Sequence, residues 1–461
     1  MFSRDDEAIV ALCTPRGHGA IALIRISGAG NAIAIVDSCA ELSSGKKLES
    51  VPTHTIHHGF IVDSGKNIDE VLFLLTKAPK TFTGQDTVEI TSHNNPFIID
   101  KIIERLLQCG ARVAGRGEFT KRAFLNGKVD LSQAEAVHEL ICAKSEAAVG
   151  SALAQLRGGL SHEMAELEKQ ILRLVTFAEA SFEFGEEEIS DVGHDEELRS
   201  TFKELSEHVH KIQETFSCQR CVRDGVRVAI VGSVNAGKST ILNSLVGRER
   251  AIVSPEAGTT RDTVEATIIQ DGVFVTLVDT AGLRDGAGEI EAEGIRRSFE
   301  EAEAADIVLV IADSSRACSA QEISVYSDLV DRHSHKAIFV LSKFDIKNTE
   351  FKIPGFENSL EISATSGDGI EKLKAELCEK VRVCLDGSQE TPFLLNERHR
   401  NIVERIAKKL GTLGTFFGED IRYEIIAHCC RELLEEVACI TGKNVGDRVI
   451  DQVFSTFCVG K

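Results

Sequence analysis

The sequence predicts three structural parts: an N-terminal α+β module, an all-α domain in two halves, and an α/β domain inserted between those halves. Three observations carry this. Short β-rich and helical runs alternate up to about residue 118. Helical periodicity alone runs from about 119 to 217 and returns after about 390. Between them, from about 222 to 385, apolar runs of strand length alternate with helical ones. The expected boundaries are 1–118, 119–221, 222–385 and 386–461. A chain of 461 residues exceeds what one hydrophobic core usually supports, and insertion is easy where a domain's ends lie close together.

In the first part, residues 20–26 and 71–75 have strand patterns, and Pro96–Gln108 repeats apolar Ile98, Ile102 and Leu106 at helical spacing. In the second, Ser132 and Glu135 have the spacing of a capping box, which predicts a helix start at Ser132. Leu167, Ile171, Leu174 and Ala178 then keep one apolar face. The acidic cluster at 183–188 has the composition of a solvated loop or helix end. In the third, residues 227–231, 273–278, 307–312 and 337–341 are continuous apolar runs of the kind a buried parallel sheet requires, with Asp271-Gly272 as a hairpin turn.

Composition narrows the function. No apolar run is long enough to span a bilayer, and the first residues are polar and acidic, unlike a secretory signal. A net charge of -20 argues against a broad basic surface for non-specific nucleic-acid binding, though not against a local groove. The 13 cysteines are scattered and odd in number, which fits reduced thiols in a cytoplasmic protein. Cys218 and Cys221 form a lone C-x-x-C spacing without a second pair, and Cys429 and Cys430 are expected to pack within a helix.

The run G-S-V-N-A-G-K-S at 232–239 follows a predicted strand and opens a predicted helix, the context in which such a loop cradles phosphates. Asn235, Ala236, Gly237, Lys238, Ser239 and Thr240 are its candidate ligands, with Lys238 for the β- and γ-phosphates and Ser239 for Mg²⁺. Thr260, in G-T-T-R-D at 258–262, offers a second Mg²⁺ hydroxyl. Asp279, Thr280, Ala281 and Gly282 close a strand, where a carboxylate can hold a Mg²⁺-bound water and an N–H can meet the γ-phosphate. Ser342, Lys343 and Asp345 follow another strand. The Asp345 carboxylate can accept from guanine N1–H and its amino group, which selects GTP over ATP. Ser342 stands where Asn is usual and shortens the bracing side chain, while Ser363, Ala364 and Thr365 fit a loop beside the guanine. Position 283 is Leu, which cannot orient an attacking water as the Gln of Ras-type enzymes does, so another positive charge must meet the transition state.

Together with A-L-I-R-I-S-G at 22–28, F-T-G-Q-D-T-V-E at 82–89, G-E-F-T-K-R-A-F-L-N-G-K at 117–128 and F-C-V-G-K at 457–461, these motifs resemble the tRNA uridine-modification GTPase family MnmE, also called TrmE. The resemblance covers essentially the whole chain. It implies an α+β N-terminal folate-binding-like domain, a discontinuous all-α helical domain, and an inserted α/β Ras-like P-loop GTPase domain. It further implies GTP hydrolysis activated by K⁺ and dimerisation, with Asn235 and the loop holding Ser254, Glu256 and Thr259 around the ion, and with Glu291 assisting hydrolysis.

By the same resemblance, Arg25, Glu89, Lys128 and Lys461 hold 5,10-methylene-tetrahydrofolate (5-formyl-tetrahydrofolate as analogue), and Cys458 takes part in modification. The family usually has His-Gly-Gly where this chain has His93, Asn94 and Asn95, a change expected to alter that turn. The implied partners are a second copy of the chain, the flavoprotein MnmG (GidA), which brings FAD in a heterotetramer, and tRNA, with no membrane. The implied reaction places carboxymethylaminomethyl at C5 of the wobble uridine, position 34. A regulatory GTPase switch in ribosome or RNA assembly stays open as the rival, and it would need neither the folate motifs nor the terminal C-V-G-K.

Overall fold

The computed structural model describes residues 6–183, 192–233, 235–246, 264–270, 272–279, 296, 299–347, 355–356, 358–385, 393, 395–418 and 421–461. The chain forms two compact units. One comprises Met1–His138, Leu156–Thr201 and Leu413–Lys461, the other Glu139–Gln155 and Phe202–Thr412.

The first unit contains a seven-stranded sheet in the order β3-β4-β5-β6-β2-β1-β7. Its strands are β1 (Ile9–Leu12), β2 (Ile21–Gly28), β3 (Ala40–Leu42), β4 (Thr55–Asp63), β5 (Lys66–Thr76), β6 (Asp86–His93) and β7 (Arg112–Val113). Only β1 and β7 pair in parallel. Alternation along β2 buries Ala22, Ile24 and Ile26 and leaves Leu23 and Arg25 on the other face. The buried face packs on α1 (Ala32–Asp37) and α2 (Pro96–Gln108) in one core with Phe73, Val88 and Ile90. Ile99, Ile102 and Leu106 are the buried residues of α2, with Ile98 only partly buried at the edge of the stripe. The Asn95 side chain caps α2 by accepting from Phe97 N at 3.0 Å, and Pro96 follows in the first turn. Neither Asn94 nor Asn95 has positive φ, so this turn needs no glycine. The expected disturbance is absent, and a helix cap stands in its place.

Helices α3 (Glu118–Leu125), α4 (Leu131–Cys142), α6 (Gly159–Glu183), α12 (Tyr423–Thr441) and α13 (Asp447–Ser455) complete this unit, apart from the end of α4. Leu167, Ile171, Leu174 and Ala178 of α6 are all buried where it packs along α12. Cys430 of α12 is fully buried and its thiol is pushed up to about 12 by that burial. The start of α4 differs from expectation. Asp130 Oδ1 accepts from Gln133 N at 2.9 Å, and Gln133 Oε1 accepts from Asp130 N at 3.0 Å. The capping box therefore lies two residues earlier, and Ser132 and Glu135 are buried inside the helix.

The second unit is built on a six-stranded sheet in the order β13-β12-β11-β8-β10-β9. The strands are β8 (Val226–Gly232), β9 (Val264–Gln270), β10 (Val273–Asp279), β11 (Ile307–Asp313), β12 (Ala337–Ser342) and β13 (Leu360–Glu361), all parallel except β9. Every residue of β11 is buried, as a central strand covered on both faces must be. Val228 and Ile230 face the core shared with α8 (Lys238–Val246) and α10 (Ile370–Leu385), whereas Ala229 and Val231 face the core shared with α9 (Ala320–His333). The remaining helices among the described residues are α5 (Glu146–Leu156), α7 (Val192–Asp224), which reaches this unit from Phe202 onward, and α11 (Glu397–Gly414). This is the Ras-like P-loop arrangement. Chain order reverses on either side of β8, so the crevice for a ligand opens beyond its carboxyl end. Among the described residues no helix is long and apolar enough to cross a membrane.

Candidate functional site

The loop after β8 is shaped by close backbone approach. A Cβ at Gly232 would lie 2.1 Å from the Ile311 carbonyl oxygen, so only glycine fits beside β11. Asn235 (φ 62°) and Gly237 (φ 86°) take the left-handed conformation that turns successive amides toward one point. Lys238, only 5% exposed, donates from Nζ to the Gly232 and Ser233 carbonyls at 2.6 and 2.7 Å. Burial pulls its pKa down to about 8, against the opposing attraction of Asp279. A buried ammonium that donates to carbonyls at the mouth of a helix is a receptor for anionic oxygen.

Ser239 Oγ donates to Asp279 Oδ2 at 2.7 Å, bringing together a hydroxyl and a buried carboxylate, the donor set that suits a hard divalent cation. Ala236 is buried in the loop, and Thr240 is exposed in the first turn of α8. Two braces set the loop. Ser342 Oγ lies 2.6 Å from the Ala236 carbonyl and 3.1 Å from that of Ala312, so the short side chain still reaches the loop. Tyr326 Oη accepts from Ser233 N at 3.0 Å and donates to the Ile311 carbonyl at 2.8 Å.

The neighbouring loop carries the base-reading candidates. Lys343 has φ 53° and pairs with Asp313 at 2.6 Å. Burial alone would raise the Asp313 carboxyl; Lys343 and Ser315 outweigh it and hold it below the usual range. Asp345 is exposed on the short turn Phe344–Ile346. Phe344 N donates to the Ile362 carbonyl at 3.1 Å, tying this turn to the segment that carries buried Ser363, half-buried Ala364 and exposed Thr365. Ser254, Glu256, Thr259, Thr260, Thr280, Ala281, Gly282, Leu283 and Glu291 lie outside the described residues. Sequence reading missed Tyr326 and Asp313. An acidic residue ending a wholly apolar strand was the available signal for Asp313, and Tyr326, one of two tyrosines, had none.

A second constellation forms in the other unit, where the last residues dock on the sheet. Arg25 and Glu89 are cross-strand neighbours, with Nε to Oε1 at 2.8 Å. Arg25 Nη1 and Cys13 Sγ both donate to the Gly460 carbonyl at 3.3 Å. Phe119 N donates to the Lys461 carbonyl at 3.2 Å, and Gly117 N to the Cys458 carbonyl at 3.3 Å. Gly460 has φ 94°, and a Cβ there would meet the Leu12 carbonyl oxygen at 2.7 Å. Arg25, Glu89 and Lys461 are thus brought together, with Cys458 exposed on the same segment. Lys128 donates to the Pro79 carbonyl at 2.9 Å. A guanidinium beside a carboxylate is a donor and acceptor set that fits a folate, whose pterin offers amino groups and whose tail offers carboxylates.

A family model described as the GTP-binding protein TrmE N-terminus matches residues 8–128, and one described as the MnmE helical domain matches 131–458. Relatives named tRNA modification GTPase MnmE span the chain. That of Flavobacterium johnsoniae is 37% identical over 471 residues, covering 99% of this chain and 100% of the relative. That of Chlorobium chlorochromatii is 36% identical over 475 residues, covering 100% and 99%. That of Aquifex aeolicus is 37% identical over 460 residues, covering 99% and 100%.

Proposed function

Because this chain belongs to the MnmE family of tRNA modification GTPases, we propose that it hydrolyses GTP in the loop at 232–239 and couples hydrolysis to modification of the wobble uridine of certain tRNAs at C5. The observation that carries the nucleotide reading is the juxtaposition of buried Lys238 with the Ser239–Asp279 pair at 2.7 Å.

Lys238 would meet the β- and γ-phosphates, and the loop amides from Asn235 to Thr240 would surround them. Ser239, Asp279 and Thr260 would hold Mg²⁺, which supplies charge neutralisation at the phosphates. Asn235, with Ser254, Glu256 and Thr259, would hold K⁺ where other GTPases place an arginine. Exposed Asp345 would read guanine, with Ser342 and Lys343 fixing its turn, Ser363, Ala364 and Thr365 flanking the base, and Thr280, Ala281 and Gly282 sensing the γ-phosphate. Glu291 would assist the attacking water.

In the other unit Arg25, Glu89, Lys128 and Lys461 would hold 5,10-methylene-tetrahydrofolate, which supplies the one-carbon unit. Cys458, presented on the docked segment, is the chemical candidate beside it. The protein would act in the cytoplasm as a homodimer with the flavoprotein MnmG, whose FAD and RNA-binding surface suit the acidic charge of this chain.

Two measurements test the reading. GTP turnover at equal ionic strength is expected to be faster in K⁺ than in Na⁺, and equal rates would remove the potassium assignment. Incubation with the flavoprotein, tRNA, GTP, K⁺ and methylene-tetrahydrofolate is expected to alter the wobble uridine's mass. An unaltered base, with both proteins shown to be active, would leave a GTPase switch.

A further inference from the structure

The phosphate loop is held at its entry by a residue outside the sequence motif. Strand β8 ends at Gly232, which stands opposite Ile311 of β11 in the parallel register. Just beyond, the Tyr326 hydroxyl bridges the two chains. It accepts from Ser233 N at 3.0 Å and donates to the Ile311 carbonyl at 2.8 Å, one added rung at the end of the ladder. Ser233 Oγ lies farther off, at 3.3 Å. Tyr326 is only 2% exposed in the middle of α9, and its ring meets Phe356 edge-on with centroids 5.6 Å apart.

One peptide unit is therefore held at both ends. Ser233 N and the Gly232 carbonyl belong to the same planar trans peptide, so they point in opposite directions. Tyr326 takes the N–H, and Lys238 Nζ donates to the carbonyl at 2.6 Å. Lys238 Nζ also donates to the Ser233 carbonyl at 2.7 Å. Turning this peptide about its flanking bonds would carry the carbonyl away from the ammonium and the N–H away from the hydroxyl together. Further along, Ser342 at the end of β12 meets the Ala236 carbonyl at 2.6 Å. The loop is thus braced from α9 at its entry and from β12 beyond it.

We propose that Tyr326 is a positioning residue for Lys238: its hydroxyl sets the Gly232–Ser233 peptide, and through it the ammonium, in the geometry that receives a nucleoside di- or triphosphate. This rests on the nucleotide reading of the loop. The hydroxyl acts by preorganisation. It holds the ammonium in place before the ligand arrives, and bound phosphates hold it afterwards, so the hydroxyl contributes to capture and not to the chemical step. A nucleoside monophosphate lacks the β-phosphate that Lys238 meets and gains nothing from it. Guanine recognition by Asp345, on the separate turn Phe344–Ile346, does not pass through this peptide.

The test compares the full chain with its Tyr326→Phe variant, which keeps the ring against Phe356 and removes only the hydroxyl. Kd for GDP and GTP, from competition against a fluorescent GDP, should rise ~10-fold, the order expected when a buried N–H loses its acceptor. Competition by GMP should be unchanged. KM for GTP should rise by the same factor with no fall in kcat at saturating GTP, whereas a loosened fold would lower kcat through the active fraction. Phe356→Leu disturbs the ring's packing and not its hydroxyl, so it should lower the unfolding temperature and leave the GDP Kd unchanged. A spectroscopic readout needs no change at Tyr326. The chain has two tyrosines, Tyr326 and Tyr423, so fluorotyrosine gives two fluorine resonances, which Tyr423→Phe assigns. The Tyr326 resonance should move with GDP and hold still with GMP. Unchanged GDP affinity in a folded Tyr326→Phe overturns the proposal, as does an equal loss for GMP, a fall in kcat at constant KM, or an unmoved Tyr326 resonance. A wild-type chain that binds neither GDP nor GTP refutes the nucleotide reading, and the positioning role with it.

Discussion

Lys238 is a charge held where water is scarce, which gives nucleotide binding a pH signature. In the free protein its pKa falls from 10.5 to about 8 through burial. Above pH 8 the folded chain gives up a proton that the unfolded chain keeps until about 10.5, so stability rises with pH across that window. Below it the full penalty applies, ~3 kcal/mol at this depth. Phosphates beside the ammonium would restore the charge. Binding near pH 8.5 should therefore take up protons, seen as a calorimetric enthalpy that changes with the buffer's ionisation heat, and a buffer-independent enthalpy would refute it. The Ser342 brace makes a second prediction. One hydroxyl faces two carbonyls, at 2.6 and 3.1 Å, and can donate to only one. Ser342→Asn supplies two amide hydrogens, so GTP should bind ~5-fold tighter, the worth of one net hydrogen bond, in a fluorescent-nucleotide titration. The loop itself was legible because spacing alone encodes its chemistry. Tyr326 was not, because its contact with Ser233 exists only once α9 packs against β11.

At the scale of elements, periodicity found α2, α6, β2, part of β5 and four strands of the second sheet, and burial decided their ends. Two patterns compete at the start of α4, Ser132 with Glu135 and Asp130 with Gln133. Spacing cannot choose between them. Ser132 and Glu135 face inward, 0% and 6% exposed, and the Ser132 hydroxyl donates to Asp130 Oδ1, so the cap falls to Asp130 and Gln133. Asp130→Ala should then cost ~1–2 kcal/mol, read from urea unfolding, through loss of the cap. Glu135→Gln should cost less, and the reverse order would restore the sequence-based start. The turn before α2 teaches the same lesson. Two asparagines in place of two glycines looked like a lost backbone freedom, yet φ is negative at both and Asn95 caps the helix. A glycine pattern states what a turn permits, and only the backbone shows what it requires.

At the scale of the whole molecule, the chain's end is part of the first unit's sheet chemistry. The Gly460 carbonyl takes hydrogen bonds from Arg25 and Cys13, residues more than 430 positions earlier, and the amides of Gly117 and Phe119 are satisfied by the same segment. Such a contact was legible only as two separate motifs, since nothing local in either specifies the other. Arg25 is 17% exposed and Glu89 22%, so their ion pair is partly screened, and its larger consequence is positional. Arg25→Met should free the Gly460 carbonyl and loosen the segment that presents Cys458. The amides of Gly117 and Phe119 should then exchange with solvent ~10-fold faster, the equivalent of about 1.4 kcal/mol of local opening. GTP affinity should hold, because every described phosphate-loop side chain belongs to the other unit. If those two amides keep their protection while folate binding is lost, Arg25 serves the ligand directly and the segment is held by Cys13 and the backbone alone. If protection falls and Cys13→Ala adds to the loss, the same carbonyl is the point at which strand, thiol and chain end are joined.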